Sequence, residues 1–281
     1  MNRWLRHPAE LRSLGIVAAY QLVLALMVAW PPARNPLCWV AACGLSFLNA
    51  VVIHNHMHQG VFRSKRLDEA FQLVLSFGNL YPASANTPAH NLVHHRFEDD
   101  GAPDWAAPTV VDFRWSLANL LHFPNVAGPR TFAGVQRWGA VEGRGRFRRQ
   151  YMRETLFAFG VTGALACWDF WTTLLYVIVP QLWGARGILR INLLQHEGCI
   201  PGSRFDHSRN FVGRAFNWVM CNNGFHTIHH DRAGLHWSEL PAAHAREVEG
   251  RMDPRLSEPS MLAYLFRRYL YRARSPSLRQ T

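Results

Sequence analysis

The chain has 281 residues, of which 49% are hydrophobic, 12% aromatic and 17% charged, with a formal charge of +11 and a mean hydropathy of −0.10. This composition excludes a disordered chain, and five scattered cysteines (38, 43, 167, 199, 221) with no CxxC pair suit neither a disulfide scaffold nor a thiolate zinc site. All but one of the basic residues are Arg, the exception being Lys65, and the hydropathy average mixes intensely apolar stretches with Arg-rich ones, so charge alone carries no nucleic-acid inference.

In chain order, two apolar runs come first, Leu14 to Trp30 and Leu37 to Ile53, separated by the proline-rich break WPPARNP. The basic residues Arg3, Arg6 and Arg12 ahead of the first run resemble the start of a signal peptide, but the run is long and no small-residue cleavage site follows, so it reads as an uncleaved span. Shorter amphipathic pieces at 67–82 and 111–123 read as helices lying in the membrane interface or packed in a cytoplasmic part. The stretch 137–153, with six Arg, reads as a surface approach to the next span, either facing anionic headgroups or forming a solvated loop. Two more apolar runs follow, 155–168 and 170–184, hinged at Cys-Trp-Asp-Phe. Each core run is shorter than the roughly 20 residues that cross a bilayer, so any one alone would also suit a buried soluble helix.

Pairing the runs places the turns at 31–36 and 167–170 on one side. The other side then carries 29 Lys and Arg against one, Arg34. That asymmetry predicts both termini and both long segments, 54–154 and 185–281, on the cytoplasmic side. The expected architecture is all-α: one integral-membrane domain over 1–281, with four transmembrane helices (about 14–30, 37–53, 155–168 and 170–184) in two hairpins beneath a helical cytoplasmic cap.

The chain holds 15 histidines, nine of them patterned. His54 and His58 form HxxxH at the end of the second run; His90, His94 and His95 form HxxxHH; His226, His229 and His230 form HxxHH; and His196 closes an NxxxH after Asn192. Spacings of three or four put two imidazoles on one helix face, where both can meet a single metal ion. The adjacent histidine of each HH pair points elsewhere and can serve a second ion. Nitrogen ligands without thiolates suit Fe, Zn, Cu or Ni, and nine nitrogens are too many for one ion and about right for two.

The boxes HNHMH, HNLVHH and HTIHH, in this order around two apolar pairs, resemble those of the membrane fatty acid desaturase superfamily, with the resemblance running over about residues 14 to 245. It implies a non-heme di-iron centre in the cytoplasmic cap, bound by His54, His58, His90, His94, His95, His226, His229 and His230, with His196 as ninth ligand and Asn192 reaching an iron through water. The stretch NNGFHTIHHDRAGLHWSELP resembles the family's C-terminal box, with Ala233 near the place where a proline commonly follows the HH. The remaining histidines, His7, His56, His122, His207, His236 and His244, lack ligand spacing and are expected to be structural or at the surface. Asp99, Asp100, Asp104, Asp231 and Glu197 are candidates to accept the outer N–H of ligand imidazoles.

The resemblance implies an oxygen-dependent desaturase acting on a fatty acyl or related chain from the bilayer; the expected location is a bacterial inner membrane. No HPGG heme motif, CxxC or dinucleotide fingerprint occurs, so electrons are expected from a separate ferredoxin-like protein and its reductase. The nearest alternatives are a hydroxylase or ketolase on the same scaffold, including one acting on carotenoids or non-lipid metabolites. A metal transporter is more distant, because transporters need charges or ligands near the midplane. A zinc hydrolase lacks the HExxH it would need.

Overall fold

The computed structural model describes residues 3–95, 104–112 and 114–271. The protein is mostly helical, with one two-stranded parallel pair among the described residues. It forms two compact units, one of residues 1–87 and 136–188 and the other of residues 88–135 and 189–281.

The first unit opens with α1 (Glu10–Ala29) and α2 (Pro36–His58). Proline explains the break between them: Pro31 and Pro32 enter a single 3-10 turn, and Pro36 occupies the first turn of α2, where a missing N–H costs nothing. The Asn35 side chain caps α2 by accepting from the Cys38 N–H at 3.1 Å. Arg34 donates through Nε and Nη2 to the carbonyls of Met27 and Val28, both at 2.9 Å, satisfying the exposed end of α1. Tyr20, Leu24, Met27, Ala33 and Ala42 form one cluster joined by Phe77 and Tyr176. Val17, Val52, Ile53, Leu75 and Ala83 form another.

The amphipathic piece at 67–82 falls largely in α3 (Lys65–Asn79), where Leu75, Ser76 and Asn79 are wholly buried. Buried amides tie the helices together. Asn49 donates to the side-chain oxygen of Asn79 at 2.6 Å, and Asn79 donates to the Ser46 carbonyl at 3.0 Å. Gly184 is required beside them, since a Cβ there would lie 2.4 Å from the Ser46 carbonyl oxygen. Small residues and amide hydrogen bonds of this kind let helices approach closely where lipid supplies no hydrophobic drive between them.

A π-helical turn, α4 (Thr87–His94), is followed beyond the gap by α5 (Leu117–Ala140), which begins six residues later than the 111–123 pattern predicts and runs through Pro124 and Pro129. The Arg-rich stretch 137–153 is largely helical rather than a loop, forming the end of α5 and the first turns of α6 (Gly145–Trp168). The expected break at 167–170 is present: the Asp169 carboxylate accepts from the Thr172 N–H at 3.1 Å and its hydroxyl at 2.6 Å, starting α7 (Phe170–Thr173). A π turn at Leu174–Ile178 continues into α8 (Val179–His196).

Among the described residues, three helices are long and apolar enough to cross a membrane: Glu10–Ala29, Pro36–His58 and Phe170–His196. The third is longer than the expected 170–184 run. The run 155–168 is the second half of α6, whose first half is Arg-rich, so that helix as a whole is less apolar than the other three.

Among its described residues the second unit also has α9 (Arg214–Val219), α10 (His226–Asp231), α11 (Leu240–Glu247) and α12 (Met261–Leu265), the last extended by a π turn, Phe266–Leu270. β1 (Asn210–Phe211) pairs in parallel with β2 (Ser257–Glu258).

Candidate metal centre

Four of the patterned histidines meet within the second unit: His94 from α4, His196 from the end of α8, and His226 and His230 from α10. One ring nitrogen from each lies within 4.8 Å of the others. His196 Nε2 is 2.8 Å from His226 Nε2, which is 3.1 Å from His230 Nε2.

Local chemistry sets these positions. α10 starts after a turn in which Cys221 and Asn222 have positive φ, 47° and 59°, and Gly224 packs where a Cβ would lie 2.1 Å from the Phe211 carbonyl oxygen. The turn is fixed on β1: Phe211 N donates to the Gly224 carbonyl at 2.9 Å, and Gly224 N donates to the Asn217 side-chain oxygen at 3.1 Å. Thr227, the second residue of α10, donates its N–H to the Asn210 side-chain oxygen at 3.0 Å. One helical turn separates His226 from His230, so both reach the cluster, while His229 points to another side. Its ring centroid is 5.8 Å from that of His90 and 4.9 Å from that of His95.

The π geometry of α4 alters the expected pairing. The His95 N–H donates to the His90 carbonyl, five residues back, at 3.0 Å, and the Nε2 atoms of these two lie 3.1 Å apart. In an ordinary α-helix His90 would share a face with His94. The wider turn also brings it to His95 and leaves His94 for the cluster. His95 stacks on His230 at 4.3 Å between centroids. In the first unit, His54 and His58 lie edge to face at 5.1 Å, and His54 Nδ1 is 3.0 Å from the Asn55 side-chain oxygen.

Tautomers follow from the partners. Asp104 Oδ2 lies 2.8 Å from His94 Nδ1, and an ionised carboxylate only accepts, so Nδ1 carries the proton and Nε2 is left with a lone pair. His196 Nδ1 lies 3.2 Å from the His207 carbonyl oxygen, which likewise only accepts, leaving the His196 Nε2 lone pair facing His226. His94 Nε2 is buried and has no hydrogen-bond partner among the described residues. Burial, reinforced by His95, His226, His94 and His196, holds His230 well below the ordinary imidazole range, and burial lowers His207 as well. Convergent imidazoles with a buried, unpartnered ring nitrogen on His94 fit a divalent transition metal such as iron, whose charge would satisfy them.

The carboxylates divide. Asp104 does what was expected of the acids. Glu197 turns elsewhere: its carboxylate accepts from the hydroxyls of Tyr264, at 2.6 Å, and Tyr269. Burial pushes the Glu197 carboxyl up to about 7, against the lowering pull of Arg209 and the two hydroxyls. Asp231 pairs with Arg204 at 3.6 Å, and Asp99 and Asp100 lie outside the described residues. Asn192 is half-buried one turn before His196 and donates through Nδ2 to the Ala106 carbonyl at 2.9 Å.

Of the histidines without ligand spacing, His56 is held by the Val61 N–H at 3.3 Å and lies 3.2 Å from the Gln72 amide, a structural role as expected. His7 and His236 accept from nearby backbone N–H groups, His122 is exposed, and His244 is buried against Phe225. His207 is the one whose place the sequence did not disclose. Its ring, 5.2 Å from that of His230, abuts the cluster, and its carbonyl sets the His196 tautomer. No spacing signal marks it, because the nearest patterned histidines are 11 residues before and 19 after.

The chain matches the fatty acid desaturase family profile over residues 14–259. No curated protein and no solved structure matches it.

Proposed function

Because the chain belongs to the fatty acid desaturase family, we propose that it is a membrane-bound, oxygen-dependent, non-heme di-iron oxidoreductase that introduces a double bond into a fatty acyl or related chain. The observation that carries this reading is the convergence of His94, His196, His226 and His230 with their donor nitrogens within 4.8 Å. These four would hold one iron. The other box histidines, His54, His58, His90, His95 and His229, are proposed from the family's sequence pattern to serve the second, with Asn192 reaching an iron through water.

When bound, the two irons supply the oxidant made from O2 that an unactivated C–H bond requires and that no acid or base side chain can provide. The chain's own residues prepare for it. Asp104 and the His207 carbonyl hold His94 and His196 in the Nδ1-protonated tautomer, so that each keeps its Nε2 lone pair. The burial of His94, His196, His226 and His229 keeps water from the nitrogens.

The proposed setting is a bacterial inner membrane with both termini cytoplasmic. Support comes from three span-length apolar helices, with the apolar half of α6 proposed as the fourth, and from the placement of 29 of the 30 basic residues on one side of the runs. Electrons would come from a separate ferredoxin-like donor with its reductase.

The experiment is to profile lipids and metabolites of an expressing host, with and without the protein and with His94→Ala. Products lacking two hydrogens, dependent on His94, are expected. Products that gain one oxygen would reassign the chain to hydroxylation or ketolation, and unchanged product formation by His94→Ala would contradict the ligand set.

A further inference from the structure

Glu197 follows His196 directly, is wholly buried, and uses both carboxylate oxygens on tyrosines from the last described helix: Tyr264 donates to Oε1 at 2.6 Å and Tyr269 donates to Oε2. A buried carboxylate is costly unless paired, and loosely held partners would not sustain it. Arg209, itself buried, completes the arrangement. Its guanidinium lies 3.8 Å from Glu197 Oε1, donates to the carbonyls of Leu194 at 2.7 Å and Glu197 at 3.1 Å, and covers the Tyr264 ring at 4.4 Å. The Arg209 N–H donates to the Gln195 carbonyl at 2.6 Å. Of the carbonyls that α8 leaves free around His196, those of Leu194 and Gln195 are therefore taken by Arg209, while that of His196 accepts from the Cys199 N–H at 3.3 Å. Farther out, Trp115 meets the Tyr269 ring edge to face at 6.0 Å, and Arg268 covers Trp115 at 4.1 Å.

The family match ends at residue 259, so both tyrosines lie beyond it. We propose that Tyr264 and Tyr269 act through Glu197 as positioning residues for His196, making the segment Met261–Leu270 a working part of the metal centre. The proposal rests on the reading of His196 as a ligand. The His196 ring is fixed at two points, by its Nδ1 proton on the His207 carbonyl and by the backbone of its own helix end. The second point is the one the tyrosines secure. Removing their hydroxyls leaves a buried carboxylate short of donors. The last turn of α8 then has reason to rotate, carrying Nε2 away from His226.

The test uses the full-length protein in detergent under anaerobic conditions, titrated with Co(II) as a spectroscopic probe for the ferrous ion. Wild type is compared with Tyr264→Phe, Tyr269→Phe, the double variant, Glu197→Gln, and Tyr271→Phe at an exposed position as the control. The double variant is expected to bind one cobalt about 10–100-fold more weakly, with a changed ligand-field spectrum. The single variants and Glu197→Gln should fall between, and Tyr271→Phe should match wild type. Circular dichroism confirms folding, and if the double variant does not fold, the single variants decide by the same two readouts. Folded variants with wild-type affinity and spectrum would overturn the proposal alone. A wild type that takes up no cobalt would overturn the metal reading beneath it.

Discussion

Asp104 and His94 are linked by a 2.8 Å hydrogen bond between carboxylate oxygen and Nδ1, both side chains almost fully buried. The pair fixes the imidazole's orientation and makes its far nitrogen a better donor to a metal. Asp104→Asn, whose amide can still accept from Nδ1, should lower affinity for the ion modestly, and Asp104→Ala should lower it about 10–100-fold. Isothermal titration with Co(II) measures both; equal affinity in all three proteins would show that the carboxylate does not orient the ligand.

Gly224 is set against the Phe211 carbonyl, a backbone atom that cannot give way. Gly224→Ala should therefore destabilise the second unit by about 1–3 kcal/mol and weaken metal binding by displacing His226. Gly163→Ala, where nothing lies within 4 Å, serves as the comparison and should leave the melting temperature unchanged or raised. Equal melting temperatures for Gly224→Ala and wild type would contradict the close packing.

His244 is depressed below the ordinary imidazole value of 6.5, chiefly by burial, with Glu249 opposing. The unfolded chain thus takes up this proton at higher pH than the folded one. Its contribution to stability is complete above pH 6.5 and is lost as pH falls below it. Thermal unfolding followed from neutral to mildly acidic pH should show a falling melting temperature, with a shallower fall in His244→Gln. Parallel curves for the two proteins would remove His244 from the account.

The ligand-like histidines and the two leading apolar runs were legible because each is a local pattern: one helical turn between imidazoles, a proline break between helices. What spacing could not show was set by geometry of longer range. The π turn of α4 rearranges which of His90, His94 and His95 face together, and sequence spacing assumes an α-helical pitch. His207 and Asp104 reach the cluster from loops, one through a main-chain carbonyl that any residue type could offer. Sequence alone offers Glu197 as one of five acids that could accept from an imidazole or equally lie at the surface. Its side chain instead leaves the helix toward Tyr264 and Tyr269, more than sixty residues away in sequence. Charge decided α6: its apolar half was recognisable, but the Arg-rich turns before it belong to the same helix.

The di-iron centre is decided by metal content. Protein purified anaerobically, reconstituted with ferrous iron and freed of excess should retain about two irons per chain, as nine nitrogen ligands require. His94→Ala and His196→Ala should each lose about one of them. Retention of fewer than about one iron per chain by the wild type, in a folded preparation, would contradict the di-iron account.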